Sequence, residues 1–595
     1  MKALCEWWKK DKRYVRLLQA VLMALLPIVC CLVYCGAKGQ SIGKVYLPAS
    51  EWNDELFYFK QVEGIVHYGY PQGYFGFNES HALKLSFAAW SPVLVFPWIL
   101  WGLLFGWNLL SPIICNILLL TLAMFLFVWL VKPSWKQIGA LTLLFCLYTP
   151  FVRYMLSGMP EIICFSMLIV FYALTINYLE NTKTYKLVLL FVLSGLLTLM
   201  RPYMLLFLLL PVFLWVRKSR WKGVLGSGAV LCVVLGCYAL IKHYLGAEYF
   251  APLFFTEWIT TFFTDGIGAG FHNFFGTLYY MGTAFWRHTV EGFRSGLASG
   301  AFFGGYLVMM AILLWQTVAD WRAVRKEANA ESVGAGVEAD KANAETVRVE
   351  AESTGKAKTN REPVTLKTRL VVEAHLLFSF IGMLFALLLM YKLTEGSKHL
   401  LTFMAVGVFI VSLMRTRTFK KVVLLGATFA YLYMYMAVDP YDYQVPFAQQ
   451  ELVAQVEEWR TVFGENLKLS EENVPNYTNS VIWVFSDTVE QTGAVGDAAE
   501  PLEAGGDAVA QTDAINDTAE TSSTTTVSLK WQLLYSLPEG FGISCCMPDY
   551  VTEHLESLNS RYLATVAGGS IDKLCNNAGY REIARDSDMV VYERY

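Results

Sequence analysis

Long, uninterrupted runs of apolar residues most restrict how this chain can fold. Several stretches of about 20 residues carry no charged side chain, and an α-helix needs that length to cross the hydrocarbon core of a bilayer. The chain has 595 residues, of which 55% are hydrophobic and 16% charged, and its mean hydropathy is +0.41. The runs are continuous rather than alternating, which argues against a membrane β-barrel. The sequence therefore predicts an all-α polytopic membrane protein.

The apolar runs and the basic loops between them predict a topology. We predict about eleven spanning helices, at 15–36, 108–131, 137–152, 160–179, 187–200, 202–216, 223–244, 297–318, 369–391, 400–414 and 422–438. Lys and Arg concentrate before the first helix and in alternate loops, as is typical of cytoplasmic segments. This places the N-terminus in the cytoplasm and the C-terminus outside. The net charge of −3 leaves no basic surface for nucleic acid.

Three segments need a choice between alternatives. The first apolar run has the basic start of a signal peptide, but it is long and lacks a clean cleavage site, so we interpret it as an uncleaved helix. The segment 91–107 contains Pro92 and Pro97, and we predict a helix in the outer interface rather than a span. The pair 187–200 and 202–216 is either one tilted helix broken at Pro202 or two short helices. Basic residues at both outer ends favour two.

Composition divides the chain into a membrane part and a tail. We predict an N-terminal transmembrane module (1–319) with a first outer loop (37–107), and C-terminal transmembrane helices (369–438). The polar segment 320–368 between them is predicted to be a partly helical cytoplasmic linker.

Residues 439–595 are predicted to form a small extracytoplasmic α/β domain. Short β-like runs at Val481–Ser486, Trp531–Ser536, Arg561–Val566 and Met589–Glu593 alternate with helix-like segments at Val551–Leu558 and Ile571–Asn577. Within this tail, 490–528 has no Lys or Arg and is rich in Ser, Thr, Gly and Ala, which is typical of a disordered insertion. Three cysteines lie in the tail, where one disulfide is possible.

Several ionisable residues are predicted to meet at the outer face of the membrane. Asp54 and Glu55 lie in the first outer loop, Glu161 follows Pro160 at a helix start soon after Arg153, and Arg201 lies between two helices. Lys398 and His399 open a later helix. Charges at membrane depth are costly and often functional. Each has an ordinary alternative: a solvated loop pair, an acid favoured at a helix N-terminus, or a cation reaching for lipid headgroups.

The order of these motifs resembles the GT-C superfamily of polytopic glycosyltransferases, related to the protein mannosyltransferase and aminoarabinose transferase type. The resemblance covers about residues 15–440. It is carried by Asp54-Glu55-Leu56-Phe57-Tyr58, Gly73-Tyr74-Phe75-Gly76-Phe77-Asn78-Glu79, Met159-Pro160-Glu161, Leu199-Met200-Arg201-Pro202 and Ser397-Lys398-His399-Leu400. It implies a donor sugar on a polyprenyl phosphate and an extracytoplasmic glycan, lipid or protein acceptor.

The resemblance also implies roles for the predicted site. Asp54 would be the general base that deprotonates the acceptor hydroxyl, which then attacks the anomeric carbon with inversion. Arg201 and Lys398, with His399, would stabilise the departing lipid phosphate. Glu55 and Glu161 would orient the acceptor or bind a divalent metal such as Mg or Mn; no cofactor is certain.

Two other classes stay open. A transporter or flippase of lipid-linked saccharides would also have many helices and a few buried charges, but it would favour internal repeats and a midplane site. A polymerase of lipid-linked saccharides shares the donor, but its usual mark is a late outer loop rich in Arg. The predicted location is the plasma membrane.

Overall fold

The computed structural model describes residues 12–69, 75–79, 91–147, 150–246, 257–295, 297–342, 364–386, 400–413, 444–470, 479–490 and 524–594. The chain divides into two compact units. One comprises Met1–Pro71 and Phe87–Val453, and the other comprises Gln72–Ser86 and Ala454–Tyr595.

The first unit is helical. Its helices are α1 (Lys12–Ala37), α2 (Asn53–Tyr68), α3 (Phe96–Phe105), α4 (Ser111–Val131), α5 (Trp135–Leu147), α6 (Pro150–Met155), α7 (Glu161–Glu180), α8 (Thr184–Met200), α9 (Leu205–Lys218), α10 (Arg220–Leu245), α11 (Glu257–Thr264), α12 (Ile267–Ser295), α13 (Leu297–Ala342), α14 (Leu366–Phe385) and α15 (Leu400–Leu413). Among the six candidate membrane spans in the described residues, α7 is the most enclosed, since 78% of its apolar window is buried inside the protein. It packs against α4, α8, α14 and α15, which explains why its sequence is apolar on all sides.

Six helices among the described residues are long and apolar enough to cross a membrane: Arg13–Ala37, Ser111–Val131, Glu161–Glu180, Arg220–Leu245, Leu307–Asn329 and Leu366–Phe385. Each overlaps a predicted span, and the prediction of a polytopic helical membrane protein with a C-terminal α/β region is confirmed. The predicted spans 187–200 and 400–414 form the shorter helices α8 and α15. The predicted span 137–152 corresponds to α5 and α6, and 422–438 lies outside the described residues.

The helical path breaks at Pro202, as both alternatives predicted. Two separate helices, α8 and α9, flank the break. Helix α8 ends at Met200, and Arg201 has extended backbone (φ −142°, ψ 115°). The residue before a proline is disfavoured in helical conformation, so the break is a local consequence of Pro202. A single 3-10 turn, Pro202–Met204, then leads into α9.

The described parts of two segments, the linker 320–368 and the segment 91–107, contain helix. Helix α13 continues through the membrane segment to Ala342, so the described start of 320–368 is helical. In the segment 91–107, the 3-10 turn Pro92–Val95 leads into α3. Trp98 of α3 is fully buried, and its indole N–H donates to Asn116 Oδ1 at 3.1 Å.

The second unit is built on a mixed six-stranded sheet. Its strands, numbered in chain order, are β1 (Phe75–Phe77), β2 (Ser480–Val484), β3 (Ser486–Glu490), β4 (Thr524–Ser528), β5 (Gly542–Cys546), β6 (Tyr562–Val566), β7 (Arg581–Arg585) and β8 (Met589–Glu593). Its helices are α16 (Gln450–Asn466), which starts just before the boundary, α17 (Pro548–His554) and α18 (Ser570–Asn577). The sheet order is β1-β5-β2-β6-β8-β7, and β3 and β4 form a separate antiparallel pair.

The edge strand β1 comes from the predicted first outer loop (37–107). The sequence analysis did not predict this strand. It pairs in parallel with β5, with Phe75 opposite Ile543 and Phe77 opposite Cys545. The next strands, β5, β2, β6 and β8, are buried along their whole length, as is usual where both faces of a sheet are covered. The predicted domain boundaries stay predictions, but the sheet includes residues far outside 439–595.

Three expectations for the tail need correction. Trp531–Ser536 is a 3-10 turn rather than a strand, with Leu533 N–H donating to Lys530 O at 3.0 Å. Its run of consecutive buried residues, Leu533–Ser536, lacks the alternation of a strand. The end of the predicted disordered insertion is ordered as β4, while 491–523 lies outside the described residues. Cys545, Cys546 and Cys575 are all free thiols.

Candidate active site

The acidic pair of the first outer loop forms the first turn of a helix. Asp54 and Glu55 lie in the opening turn of α2, where the helix dipole favours negative charge. Within the described residues no side chain caps this end, and just before the helix the Trp52 N–H donates to Ser50 Oγ at 3.0 Å. Successive residues on a helix point about 100° apart, so the two carboxylates face different surroundings.

Glu55 is held on both carboxylate oxygens. Oε1 accepts from Ser50 Oγ at 2.8 Å and from Arg153 Nη2 at 2.6 Å, and Oε2 accepts from the backbone N–H of Gly158 at 2.8 Å. Glu55 is fully buried and Arg153 is 2% exposed. The Arg153 Cζ atom also lies 3.8 Å from the centroid of the Trp52 ring, a cation–π contact. These contacts hold the Glu55 side chain in one position, and its predicted acceptor or metal role stays a prediction.

The turn that supplies Gly158 is itself fixed by a buried amide on α4. Asn116 Nδ2 lies 3.4 Å from Tyr154 O, 3.2 Å from Ser157 O and 3.3 Å from Met159 O. A Cβ atom at Gly158 would lie 3.1 Å from Glu55 Cβ. Glycine therefore permits the close approach that brings its N–H to the Glu55 carboxylate.

The second predicted acid, Glu161, is paired with the predicted cation Arg201. Arg201 Nη2 donates to Glu161 Oε1, and Arg201 Nη1 donates to Tyr203 OH at 3.2 Å. Glu161 is 4% exposed and Arg201 3% exposed. Glu161 Oε2 has no hydrogen-bond partner among the described residues although it is buried. The pair is thus a charge-assisted contact with one acceptor oxygen still unused.

Tyr58 connects Asp54 to this pair. Tyr58 is one helical turn after Asp54 on α2, so the two side chains share a face. Burial raises the pKa of Tyr58 well above its usual value; the charges of Asp54 and Glu161 raise it further, while Arg201 lowers it. Three predicted site residues therefore lie within electrostatic range of one phenol. Asp54 itself is half-buried, whereas its neighbour Glu55 is fully buried.

The structure covers four of the six predicted site residues. Glu161 and Arg201 form an ion pair, and the charges of both, like that of Asp54, act on the Tyr58 phenol; Glu55 pairs with Arg153 instead. Lys398 and His399 lie outside the described residues. The assignment of all six stays a prediction.

The described residues offer no metal site of the usual kind. No group of three His, Cys, Asp or Glu side chains among them could hold a metal ion. Both Glu55 oxygens are already hydrogen-bonded within the protein. One or two carboxylates, with water and substrate phosphate, are enough to bind Mg²⁺, so the predicted divalent metal stays a prediction.

The sequence analysis names Arg153 and Tyr58 but predicts no role for either. It does not name Ser50, Gly158 or Asn116. The first two had a local signal: Tyr58 lies four residues after Asp54, and Arg153 is the one charge between Lys136 and Glu161. Ser50 and Asn116 had none. Their roles depend on contacts with residues distant in the sequence.

A second set of buried polar contacts joins the spanning helices. Gln316 Nε2 of α13 donates to Glu373 Oε1 of α14 at 2.6 Å, and Arg369 Nη2 lies 3.0 Å from Asp320 Oδ2. Further into the bundle, His375 Nδ1 and Tyr172 OH are 3.0 Å apart. Such contacts satisfy polar groups that lipid cannot, and they pair α13 with α14 and α14 with α7.

Comparison with solved structures finds likenesses to two membrane proteins. The apo structure of the Archaeoglobus fulgidus oligosaccharyltransferase matches with a TM-score of 0.42 and 12% identity, over 93% of this chain and 70% of that chain. ArnT from Cupriavidus metallidurans, bound to undecaprenyl phosphate, matches with a TM-score of 0.37 and 10% identity, over 96% and 97%. Its apo state gives 0.38 at 10% identity, with the same coverage.

TM-scores below 0.5 do not establish a shared fold, so these likenesses assign no activity to this chain. No protein-family model and no curated protein matches it.

Proposed function

We propose that this protein is a membrane glycosyltransferase of the GT-C type. It transfers a sugar from a polyprenyl-phosphate donor to an extracytoplasmic acceptor, with inversion at the anomeric carbon. The motif order in the sequence supports this class. The residues of these motifs support it further, because the charges of half-buried Asp54 and of the buried Glu161–Arg201 pair all act on the Tyr58 phenol.

The observation that carries the proposal is the unequal treatment of two adjacent carboxylates. Glu55 is enclosed by Arg153, Ser50 and Gly158 and fixes the start of α2. Asp54 is left half-buried on the face of Tyr58. A general base has to be fixed in position yet reachable by substrate, and this arrangement provides both.

In the proposed reaction, Asp54 takes the proton from the acceptor hydroxyl. The hydroxyl oxygen forms a bond to the anomeric carbon from the face opposite the phosphate. The bond between that carbon and the phosphate oxygen breaks, and the polyprenyl phosphate leaves with the electron pair. Cations near the phosphate stabilise the charge that develops on it.

Charge counting assigns part of the phosphate binding to residues beyond the described part of the site. Asp54, Glu161 and Arg201 together carry one net negative charge at neutral pH, which repels an anionic donor. Arg201 also already donates to Glu161 and Tyr203. Lys398 is therefore proposed to supply a positive charge that attracts the donor phosphate, with His399 and Arg201 as further hydrogen-bond donors to it.

The test is sugar transfer by the purified full chain in detergent. The donors are a panel of radiolabelled undecaprenyl-phosphate sugars, and the acceptors are an extract of envelope lipids and glycans. We expect wild type to release undecaprenyl phosphate and Asp54→Asn to lose at least about 100-fold in turnover, the usual range for a lost general base. Glu51→Gln removes an exposed acid three residues earlier and serves as the matched control, with turnover unchanged.

Two results would contradict the proposal. Full turnover by Asp54→Asn would remove the base assignment while leaving the enzyme class intact. No turnover by wild type with any donor, together with movement of lipid-linked sugar across reconstituted vesicles, would favour the transporter alternative.

A further inference from the structure

Helices α11 and α12 form a hairpin in the segment between two candidate spans. Gly266 makes the turn with φ +92°, a conformation that suits glycine. The two helices pack closely: the Trp258 and Phe274 rings are 5.2 Å apart, and a Cβ atom at Gly270 would lie 2.3 Å from the Phe262 ring. The two helices of the hairpin are therefore held together by side-chain packing.

One face of this hairpin is an exposed aromatic stripe. Its members share a spacing of four residues in sequence and a large exposed fraction: Phe263 (85%), Ile267 (70%), Phe271 (51%), Phe275 (58%) and Tyr279 (75%). Residues four apart on a helix lie on one side, which aligns the four members that belong to α12, from Ile267 to Tyr279; Phe263 belongs to α11. Trp286, 63% exposed, extends the same side of α12. Exposure of so much contiguous aromatic surface to water is unfavourable and marks an interaction surface.

The opposite face of α12 is concave and carries both polar and apolar residues. It lines an open concavity of about 730 Å³ together with Thr261 of α11. Asn273 Nδ2 donates to Thr261 Oγ1 at 3.0 Å, and Thr277 Oγ1 donates to Asn273 Oδ1 at 3.2 Å. His272 lies on this side as well. The side chains that hydrogen-bond within the hairpin, Asn273 and Thr277, thus lie on the side of α12 away from the aromatic stripe.

Position and charge favour lipid as the partner of the stripe. The hairpin follows α10, a candidate span, and precedes the candidate span Leu307–Asn329 of α13, so both of its ends are tied to the bilayer. Helix α12 does not count among the candidate spans found in the described residues. Phe, Tyr and Trp are the residues enriched at the membrane–water boundary.

We propose that the α11–α12 hairpin lies along the bilayer surface, with its aromatic stripe in the interface and the Asn273–Thr277 side towards water. The face in contact with lipid carries no Lys or Arg between Phe263 and Tyr279. Anchoring therefore depends on aromatic burial rather than on attraction to anionic headgroups, unlike the basic amphipathic helices of many peripheral proteins. The concavity then opens at the depth of the lipid headgroups.

The test is photo-crosslinking of the full chain in nanodiscs of radiolabelled phosphatidylcholine. A benzophenone amino acid is placed at Phe275 on the stripe, or at Thr277 on the polar side as the matched control two residues away. Both sites are outside the proposed active site, and the melting temperature of each variant checks folding. We expect at least five-fold more lipid adduct at Phe275 than at Thr277, and the same ratio when phosphatidylglycerol is added.

Equal lipid labelling at both positions would overturn the proposal. Crosslinking of Phe275 to protein would also overturn it, and would show that the stripe is a docking surface for another copy or another segment of this chain. An adduct at Phe275 that required phosphatidylglycerol would contradict an anchor independent of anionic lipid.

Discussion

At the residue scale, the environment of each carboxylate rather than its type sets its role. Asp54 and Glu55 are adjacent and chemically alike, yet Glu55 accepts hydrogen bonds on both oxygens and is fully buried. Its guanidinium partner, Arg153, is also enclosed, so each charge compensates the other. Breaking such a pair by removing one partner costs more than removing both.

This asymmetry predicts the stability of Glu55→Gln. We expect it to lower the free energy of unfolding by about 3–5 kcal/mol, because Arg153 is left as an uncompensated buried charge. The double variant Glu55→Gln/Arg153→Met should lose less than the sum of its single changes. Thermal and denaturant unfolding in detergent measure both effects. A Glu55→Gln protein as stable as wild type would disprove the positioning role.

The same measurement separates the two acids. Asp54→Asn should leave the melting temperature within about 2 °C of wild type, because a substitution at a half-buried side chain usually changes the free energy of unfolding little. Activity should nevertheless be lost. Loss of both stability and activity in Asp54→Asn would indicate that Asp54, too, is structural.

At the element scale, the smallest strand is secured by a side chain just beyond its end. Glu79 has a positive φ of 53° and follows β1 by two residues. Its carboxylate accepts from the backbone N–H groups of Asn559 (2.9 Å) and Ser560 (2.6 Å) and from Ser560 Oγ (2.6 Å). A three-residue strand alone has few ladder bonds, so these contacts fix where β1 ends.

We therefore expect Glu79→Ala to loosen this end of the sheet. The buried Ser560 N–H would lose its acceptor, at a cost of about 1–3 kcal/mol. Hydrogen exchange should speed up at Ser560 and in β1 and β5, and remain unchanged in β7. Glu79→Gln keeps one carbonyl acceptor and should show a smaller effect. If neither variant changed the exchange rates of β1 and β5 relative to those of β7, Glu79 would not hold β1 in place.

At the scale of the whole molecule, the second unit carries its own pH dependence. Burial would raise the pKa of Asp572, but hydrogen bonds from Arg585, Tyr592 and the Gly568 N–H outweigh it and hold that pKa below its usual value. Arg585 donates hydrogen bonds to both carboxylate oxygens of Asp572, from Nη1 to Oδ2 at 2.8 Å and from Nη2 to Oδ1 at 2.9 Å. An acid with a depressed folded-state pKa stabilises the fold above its unfolded pKa, and this stabilisation is lost as pH falls through the folded pKa.

The expected result is a stability difference that depends on pH. Asp572→Asn should reduce hydrogen-exchange protection of α18 and β8 at pH 7, after correction for intrinsic rates. The difference from wild type should shrink as pH falls below about 4, the unfolded pKa of aspartate. Asp588→Asn, at an exposed site in the same unit, is the control. A difference that persists at low pH would rule out ionisation of Asp572 as its cause.

The membrane topology is also a whole-molecule property, and sequence predicted it in part. Long apolar runs such as Ser111–Val131 are found within about three residues of their predicted bounds. Helices α9 and α15 have only 14 residues each, so length and composition alone do not mark them as spans. Their predicted crossings depended on the basic loops around them, and they stay predictions.

The sequence by itself determined the class of molecule, the long spans, the break at Pro202 and the presence of an acid pair soon after the first apolar run. These are local properties, set by apolar runs, a proline and neighbouring residues. Only the tertiary structure decided that Glu55 pairs with Arg153, 98 residues away, and that Glu79 binds Asn559, 480 residues away. Contacts over such separations depend on how the helices and strands pack, and no local pattern encodes the partner.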